Sequence, residues 1–540
     1  MSPSWRNRPL DKLSQTVYDL VVWPKHFLRR LDREVDFSFI NELCAPYYAN
    51  GSPKGGRPAE EPERVFRALL LMVLYGIPFE TALVREIGVN LAFRWFIRLG
   101  LLERVFDHSL FYVVRDRLGA EVFEQILTRI FQQCLAQGLI GHQWAFYDCT
   151  DVVASAQRYT LYERAVILAR AVLRLLEEGA AERGSDPSEP PPEASPALRR
   201  LVAETAQEVT KAKHSAPQNI LRGVAQLEAA VAAGTTPLPH RERVAQDLVA
   251  ATPPLRDPSA AALQETLQQL ERRLPHARGD GDARVGHTSK GGTFCGYLQG
   301  HWVDGRYGVI GATQLVAGNA WQADALVASP VTRQYRERAG RTPAQAALDS
   351  AFGYPRVVAH LAQEWPATEV FVGARQAPRS GAEQHQVFGS AAFTLTEDDR
   401  LLCPNAALSL EQRAMKVFSH RRDGTLDYAG QSCQGCALRA QCTTKTTGPR
   451  VVKLHPEEHR IYQAIAAKAQ TAAYREAMRQ RMAHSEPVFG HGKSYHGWGR
   501  APYRSQRMNA IMNLLEVIGH NCEKLTRYAP AERQSQAGTT

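Results

Sequence analysis

The run Trp144-Ala145-Phe146-Tyr147-Asp148-Cys149-Thr150-Asp151-Val152-Val153 constrains what this chain can fold into more than any other stretch. Aromatic and β-branched residues in a short apolar run bounded by polar ones suit a buried strand. A carboxylate delivered at the end of such a run is costly unless a cation or a proton neutralises it. Asp148 is therefore either a functional acid or a strand-terminal residue capping the segment that follows, and the run alone leaves both readings open.

Two later stretches add to it. Ala346-Ala347-Leu348-Asp349 again ends a short apolar run in an acid, a Gly353-Tyr354 turn follows, and Val357-Val358-Ala359-His360-Leu361 then reads as helix. Farther on, Arg481-Met482-Ala483-His484-Ser485-Glu486-Pro487-Val488-Phe489-Gly490 sets an acid among basic residues, with Lys493 seven positions beyond it. Asp148, Asp349 and Glu486 thus stand in chain order. A pair of oxygen-seeking Mg²⁺ ions needs several carboxylates from separate elements, because one acid can neither cancel their charge nor fill an octahedral shell.

In this ordered set the chain resembles the DDE-type transposases of bacterial insertion sequences, whose catalytic core is RNase H-like. The resemblance runs over roughly residues 15 to 525. It is carried by Asp148 before Cys149-Thr150, by Asp282-Ala283-Arg284-Val285-Gly286 with Ser289-Lys290 and Gly296-Tyr297, by Asp349 with Gly353-Tyr354, and by Glu486-Pro487-Val488-Phe489-Gly490. It implies that Asp148, Asp349 and Glu486 hold two Mg²⁺ (or Mn²⁺) ions, one activating water and later a DNA 3′-hydroxyl for in-line attack on a phosphodiester, the other steadying the leaving oxygen. Arg481 and Lys493 flank the glutamate at spacings similar to the family's basic pair, and each would hold a DNA phosphate. Pro487, Gly490 and Gly492 are expected to weaken a continuous helix from Glu486 to Lys493. Ser289 and Lys290 are further candidates for phosphate contact, although an exposed lysine more often merely solvates.

The implied function is metal-dependent cleavage at transposon ends followed by strand transfer. The implied partner is double-stranded DNA, both terminal inverted repeats and target, bound by a homodimer or higher assembly. Two alternatives stay open: a nuclease of the same fold without strand transfer, and a non-catalytic DNA-binding protein derived from a transposase. Composition agrees with a polyanionic partner, since Lys plus Arg number 65 against 55 Asp plus Glu, a formal charge of +10. The start of the chain has no apolar core of signal-peptide length, and the longest apolar stretch, residues 68–77, is too short to span a bilayer, so a cytoplasmic protein without a membrane segment is expected.

At 540 residues several domains are needed. The expected class is α+β and multidomain: a helical N-terminal DNA-binding domain and a mixed β-sheet core flanked by helices, with two insertions. The boundaries read as 1–140 for the helical domain, 141–156 for the first core strand, 157–279 for a helical insertion and 280–374 for the continued core. A cysteine-rich insertion at 375–480, closing helices at 481–528 and a disordered tail at 529–540 complete the chain. In the front helices, Arg94, Arg98, Arg104, Arg115 and Arg117 would suit docking on a phosphate backbone, or would line a solvated face. In the helical insertion, amphipathic stretches at 161–176, 221–231 and 263–274 flank a proline-rich linker at 186–196, and serve either internal packing or dimerisation. Cys403, Cys433, Cys436 and Cys442 form one isolated thiol plus a C-x2-C-x5-C group, candidate ligands of a structural Zn²⁺.

Overall fold

The computed structural model describes residues 5–6, 9–48, 59–159, 239–254, 292–373 and 387–528, with most of 265–288 and scattered positions of 164–178. The chain divides into two compact units, Met1–Val153 with Thr288–Lys290 and Tyr297–Thr540, and Ala154–His287 with Gly291–Gly296.

The first unit is built on a mixed sheet. Its strands are β1 (Trp144–Ala154), β2 (Thr293–Asp304), β3 (Ile310–Ala317), β4 (Gln345–Leu348) and β5 (Glu369–Val372), in the order β5-β4-β1-β2-β3. Strands β1, β4 and β5 run parallel, whereas β2 and β3 form an antiparallel pair joined across Gly305-Arg306. Ala145, Phe146 and Tyr147 in β1 and Ala346, Ala347 and Leu348 in β4 have no exposed surface, which is why both read as unbroken apolar runs rather than as alternating strands.

Among the described residues, seven α-helices precede the sheet: α1 (Lys12–Val21), α2 (Phe27–Glu34), α3 (Phe39–Cys44), α4 (Pro62–Leu74), α5 (Glu80–Val89), α6 (Leu91–Phe96) and α7 (Ser109–Ala136), the last broken at Gly119 with φ 67°. They share one hydrophobic core with the sheet, in which Leu69, Ile126 and Phe131 pack with Trp302, Tyr335 and Leu515. Two of the arginines expected to face phosphate are instead interior. Arg94 donates to the carbonyls of Leu101 and Glu103, and Arg115 is paired with Glu80 under the ring of Tyr503. Both guanidiniums are buried, so neither is accessible to DNA. Arg104 and Arg117 are exposed, and Arg98 is half exposed beside Glu63.

After the sheet core come α8 (Gln322–Ala328), α9 (Val331–Ala339) and α10 (Pro355–Glu364), the last covering the crossover from β4 to β5. The cysteine-bearing segment forms a small antiparallel sheet of β6 (Lys416–His420), β7 (Leu426–Ala429) and β8 (Val451–Leu454) over its own apolar cluster of Phe393, Leu401, Met415 and Tyr428. Helices α11 (Pro456–Lys468), α12 (Ala472–His484) and α13 (Glu486–Tyr495) return the chain, and α14 (Gln506–Arg527) packs on α7 and β3.

In the second unit Gln157–Arg158 pairs with Ala277–Arg278, Arg284–His287 pairs with residues 293–296, and Pro239–Ala250 is helical. The stretch at 221–231, the proline-rich linker at 186–196 and the tail at 529–540 lie outside the described residues. Among the described residues no helix is long and apolar enough to cross a membrane.

Helix α14 meets β2 and β3 through polar side chains. Asn521 caps both backbone groups of Ile310, at 2.9 and 2.8 Å, and Gln299 donates to Asn513 at 2.6 Å and to Glu516 at 2.9 Å. Burial pushes the Glu516 carboxyl up to about 8, against the opposing hydrogen bond from Gln299. An acid raised on folding gives stability that is full below its unfolded pKa and is lost as pH climbs through the folded one. Glu516→Gln should therefore leave the Tm unchanged below pH 4.5 and raise it near pH 8, by the equivalent of roughly 1–3 kcal/mol. Thermal melts across pH check this; identical curves for the two proteins would show that Glu516 is not the titrating group.

Candidate active site

Register brings two of the acids together. Tyr147 lies opposite Leu348, so Asp148, midway along β1, and Asp349, the residue after β4, are the next residues on neighbouring parallel strands, about 4.8 Å apart in backbone spacing. One oxygen of each is tied to the backbone: Asp148 Oδ1 accepts the Cys149 N–H and Asp349 Oδ1 the Ala351 N–H, both at 2.8 Å. Asp349 thereby caps the short turn Ser350–Phe352. The capping and functional readings of such an acid are thus compatible, since each carboxylate has a second oxygen.

That second oxygen of Asp148 accepts a hydrogen bond from Arg481 at 2.8 Å, across 333 positions of sequence. Burial pushes the Asp148 carboxyl up to about 6; Arg481 draws it down and the negative charge of Asp349 pushes it up again. The two aspartates share one electrostatic field. The same guanidinium lies 3.7 Å from Glu486 Oε1, so Arg481 stands between the first acid and the third. Glu486 itself is about half exposed, its side chain 54% accessible.

Helices α12 and α13 place this group. They meet at the buried Ser485, and the His484 ring at the end of α12 stacks on Phe146 of β1. Contrary to the expectation from Pro487 and the glycines, α13 is continuous from Glu486 through Lys493. Pro487 lies in the first turn, where its missing N–H would have had no helical partner. Gly492 is covered by Trp498, whose ring would be 2.2 Å from an added Cβ, so packing rather than propensity decides the helix there. Lys493, two turns after Glu486, places Nζ 3.1 Å from Asp151 Oδ1. Ser289 and Lys290 lie outside the described residues.

Reading the residues alone overlooked Gly373. It follows Val372, which pairs with Leu348, and its N–H donates to the Leu348 carbonyl at 3.1 Å. An added Cβ would lie 2.4 Å from the Ser350 nitrogen and 2.8 Å from the Asp349 carbonyl carbon. A glycine closing an apolar strand is the available signal, since it marks close backbone approach.

The four thiols Cys403, Cys433, Cys436 and Cys442 line one cavity and form no disulfide. Burial raises the Cys442 thiol, and the other three add in the same direction. Cys433 and Cys436 sulfurs accept hydrogen bonds from the Arg450 backbone and from Asn405. Among the described residues, no three of these sulfurs lie within 4.8 Å of one another.

Residues 15–117 match the family described as Transposase domain (DUF772), and residues 402–526 match the family described as Transposase DDE domain. The second span holds Arg481, Glu486, Lys493 and all four of Cys403, Cys433, Cys436 and Cys442; Asp148 and Asp349 lie outside both spans. No curated protein matches the chain, and no solved structure does.

Proposed function

We propose that this chain, a DDE-type insertion-sequence transposase by the two families that it matches, cuts DNA at the ends of its element and joins them to target DNA with Asp148, Asp349 and Glu486 as its acids. The observation that carries the reading is Arg481, one guanidinium facing both Asp148 and Glu486 beside the adjacent Asp349.

DDE transposase domains generally use divalent metal ions, and the donor set here fits them. Three carboxylates come from three elements, all donors are hard oxygens, and burial raises the Asp148 carboxyl to about 6, which a facing cation would counter. Mg²⁺ or Mn²⁺, taken as two ions, would be held by Asp148, Asp349 and Glu486. When bound, such ions supply charge stabilisation at the scissile phosphate and a more acidic attacking water. The chain's own groups prepare the site. The backbone bonds to Asp148 and Asp349 fix the rotation of both carboxylates through one oxygen each, and the second oxygen of Asp148 faces Arg481. Arg481 neutralises Asp148 in the meantime, and with Lys493 it offers cationic donors to a DNA phosphate.

Several finer assignments belong to the same reading. Ser289 and Lys290 are proposed as phosphate contacts. A dimer or higher assembly would hold two terminal inverted repeats at once, in the cytoplasm where bacterial DNA lies. The cysteine cavity is proposed to take a structural Zn²⁺, with Cys403, Cys433, Cys436 and Cys442 drawing together around it.

The test is the purified full-length protein, a DNA fragment carrying the inverted repeats that flank its gene, a plasmid target, and Mg²⁺ or Mn²⁺. Cleavage at the element end and covalent joining to the plasmid are expected. Cleavage without joining would make the protein a nuclease, and folded protein that cuts with neither ion would overturn the proposal.

A further inference from the structure

A second group of potential ligands lies away from the carboxylates. We propose that His491, His496 and Glu523 form a site for a nitrogen-seeking transition metal, Zn²⁺ above all, which pins the far end of the helix bearing Glu486 to α14. His491 is in the last turn of α13, His496 immediately follows it, and Glu523 is on α14. Among the described residues this is the one set of three or more His, Cys, Asp or Glu side chains whose ligand atoms all lie within 4.8 Å of one another.

The distances suit a small ion. Zn–N and Zn–O bonds of about 2.0–2.2 Å set ligand atoms of a tetrahedral site roughly 3.3–3.5 Å apart. His496 Nε2 is 3.2 Å from Glu523 Oε2, and His491 Nδ1 is 4.0 Å from the same oxygen. The two imidazole rings are 4.9 Å apart between centroids.

His496 is the decisive member. It is only 5% exposed, and its Nδ1 lies 3.0 Å from the carbonyl oxygen of Val73 in α4. A carbonyl can only accept, so Nδ1 carries a proton and Nε2 is the nitrogen that faces Glu523, the arrangement found behind histidines that bind metal; against the effect of burial, Glu523 also raises the His496 pKa, so a bound ion would take the place of a proton between the two. That Nε2 is buried against the Glu523 carboxylate. Burial lowers the His491 pKa, Glu523 opposes this, and His496, Lys524 and Arg527 add to the lowering. The same two cations oppose a bound dication, so the ion must be held by donor bonds rather than by net charge. This selects Zn²⁺ or Co²⁺ over Mg²⁺, the reverse of the preference of the three-acid site. With three protein ligands and His491 45% exposed, one coordination position faces solvent.

The consequence for the proposed chemistry is mechanical. Glu486 and Lys493 are both on α13, and a metal joining its last turn to α14 would hold that helix against rotation. The experiment uses the full-length protein carrying Cys433→Ser and Cys436→Ser, so that the cysteine cavity cannot take the probe ion, stripped with chelator and kept in excess Mg²⁺ so that the carboxylates are occupied. Co²⁺ is the spectroscopic probe and Zn²⁺ the stabilising one. A bound Co²⁺ with visible bands but without added sulfur-to-cobalt charge transfer is expected, and Zn²⁺ should raise the Tm by several degrees. His491→Ala and Glu523→Gln should each weaken this binding at least ~10-fold and remove the zinc-dependent shift. His491 is exposed enough for its variant to fold, and far-ultraviolet circular dichroism verifies it. Unchanged cobalt affinity in both variants, or no sulfur-free cobalt spectrum and no zinc-dependent Tm shift in the parent, would overturn the proposal.

Discussion

Asp148→Asn is expected to abolish Mg²⁺-dependent cleavage and strand transfer, by at least ~10³-fold, because losing a charged metal ligand removes several kcal/mol of transition-state stabilisation. The substitution keeps the side chain's shape and its acceptor for the Cys149 N–H. It removes a charge that burial disfavours, as the rise of the Asp148 carboxyl to about 6 shows, so the fold should be no less stable, even though Arg481 is left with Glu486 as its acidic partner. DNA-end binding should persist, since it depends on basic groups elsewhere. Asp349→Asn and Glu486→Gln should behave alike. The readouts are end cleavage and joining, a band-shift with end DNA, and a thermal melt of each variant. Full activity in Asp148→Asn would refute the assignment and move attention to Asp151, which faces Lys493. The other acids near Glu486 in sequence offer poor substitutes. Glu476 is engaged by Arg479 and Gln480, and Glu516 is buried with its proton held.

Gly373→Ala should be nearly as damaging without touching a charge. The added methyl would meet the backbone of Ser350 at 2.4 Å and of Asp349 at 2.8 Å, and backbone held in a parallel sheet has little room to yield. Relief requires β4 and β5 to part or the Asp349 turn to shift. Overpacking of this kind costs on the order of 2–3 kcal/mol. A displacement of about 1 Å at a reacting group lowers activity by about 10²-fold. Gly389→Ala, where an added Cβ meets nothing within 4 Å, is the control and should change neither quantity. If Gly373→Ala retained parental Tm and cleavage rate, the packing of β5 against the Asp349 turn would not matter to the site.

Some of this was legible from residues alone, for a physical reason. Residues 144–147 and 346–348 each announce interior strand, because a fully covered strand must be apolar along its length, and in each an acid follows the covered stretch, although β1 continues past Asp148 to Ala154. The hairpin at Gly305-Arg306 and the helix start at Pro62 are likewise written locally, in turn chemistry and in proline's fixed φ. Local text misled where packing outweighed it. Helix α13 persists through Pro487 and Gly492 because the first turn tolerates proline and Trp498 fills the space above the glycine.

The sequence by itself therefore determined which residues could carry charge at strand ends and which segments must be interior, since burial and backbone preference act within a few neighbours. The tertiary structure alone decided partnership. The pairing of Tyr147 with Leu348 sets Asp148 beside Asp349, and Arg481 comes from a helix hundreds of positions away to lie between Asp148 and Glu486. Arg94 and Arg115 turned inward, and Val73 came to fix the proton of His496. Such contacts depend on how whole faces pack, and a hydrogen bond or ion pair between distant elements leaves no period in the chain from which it could be read.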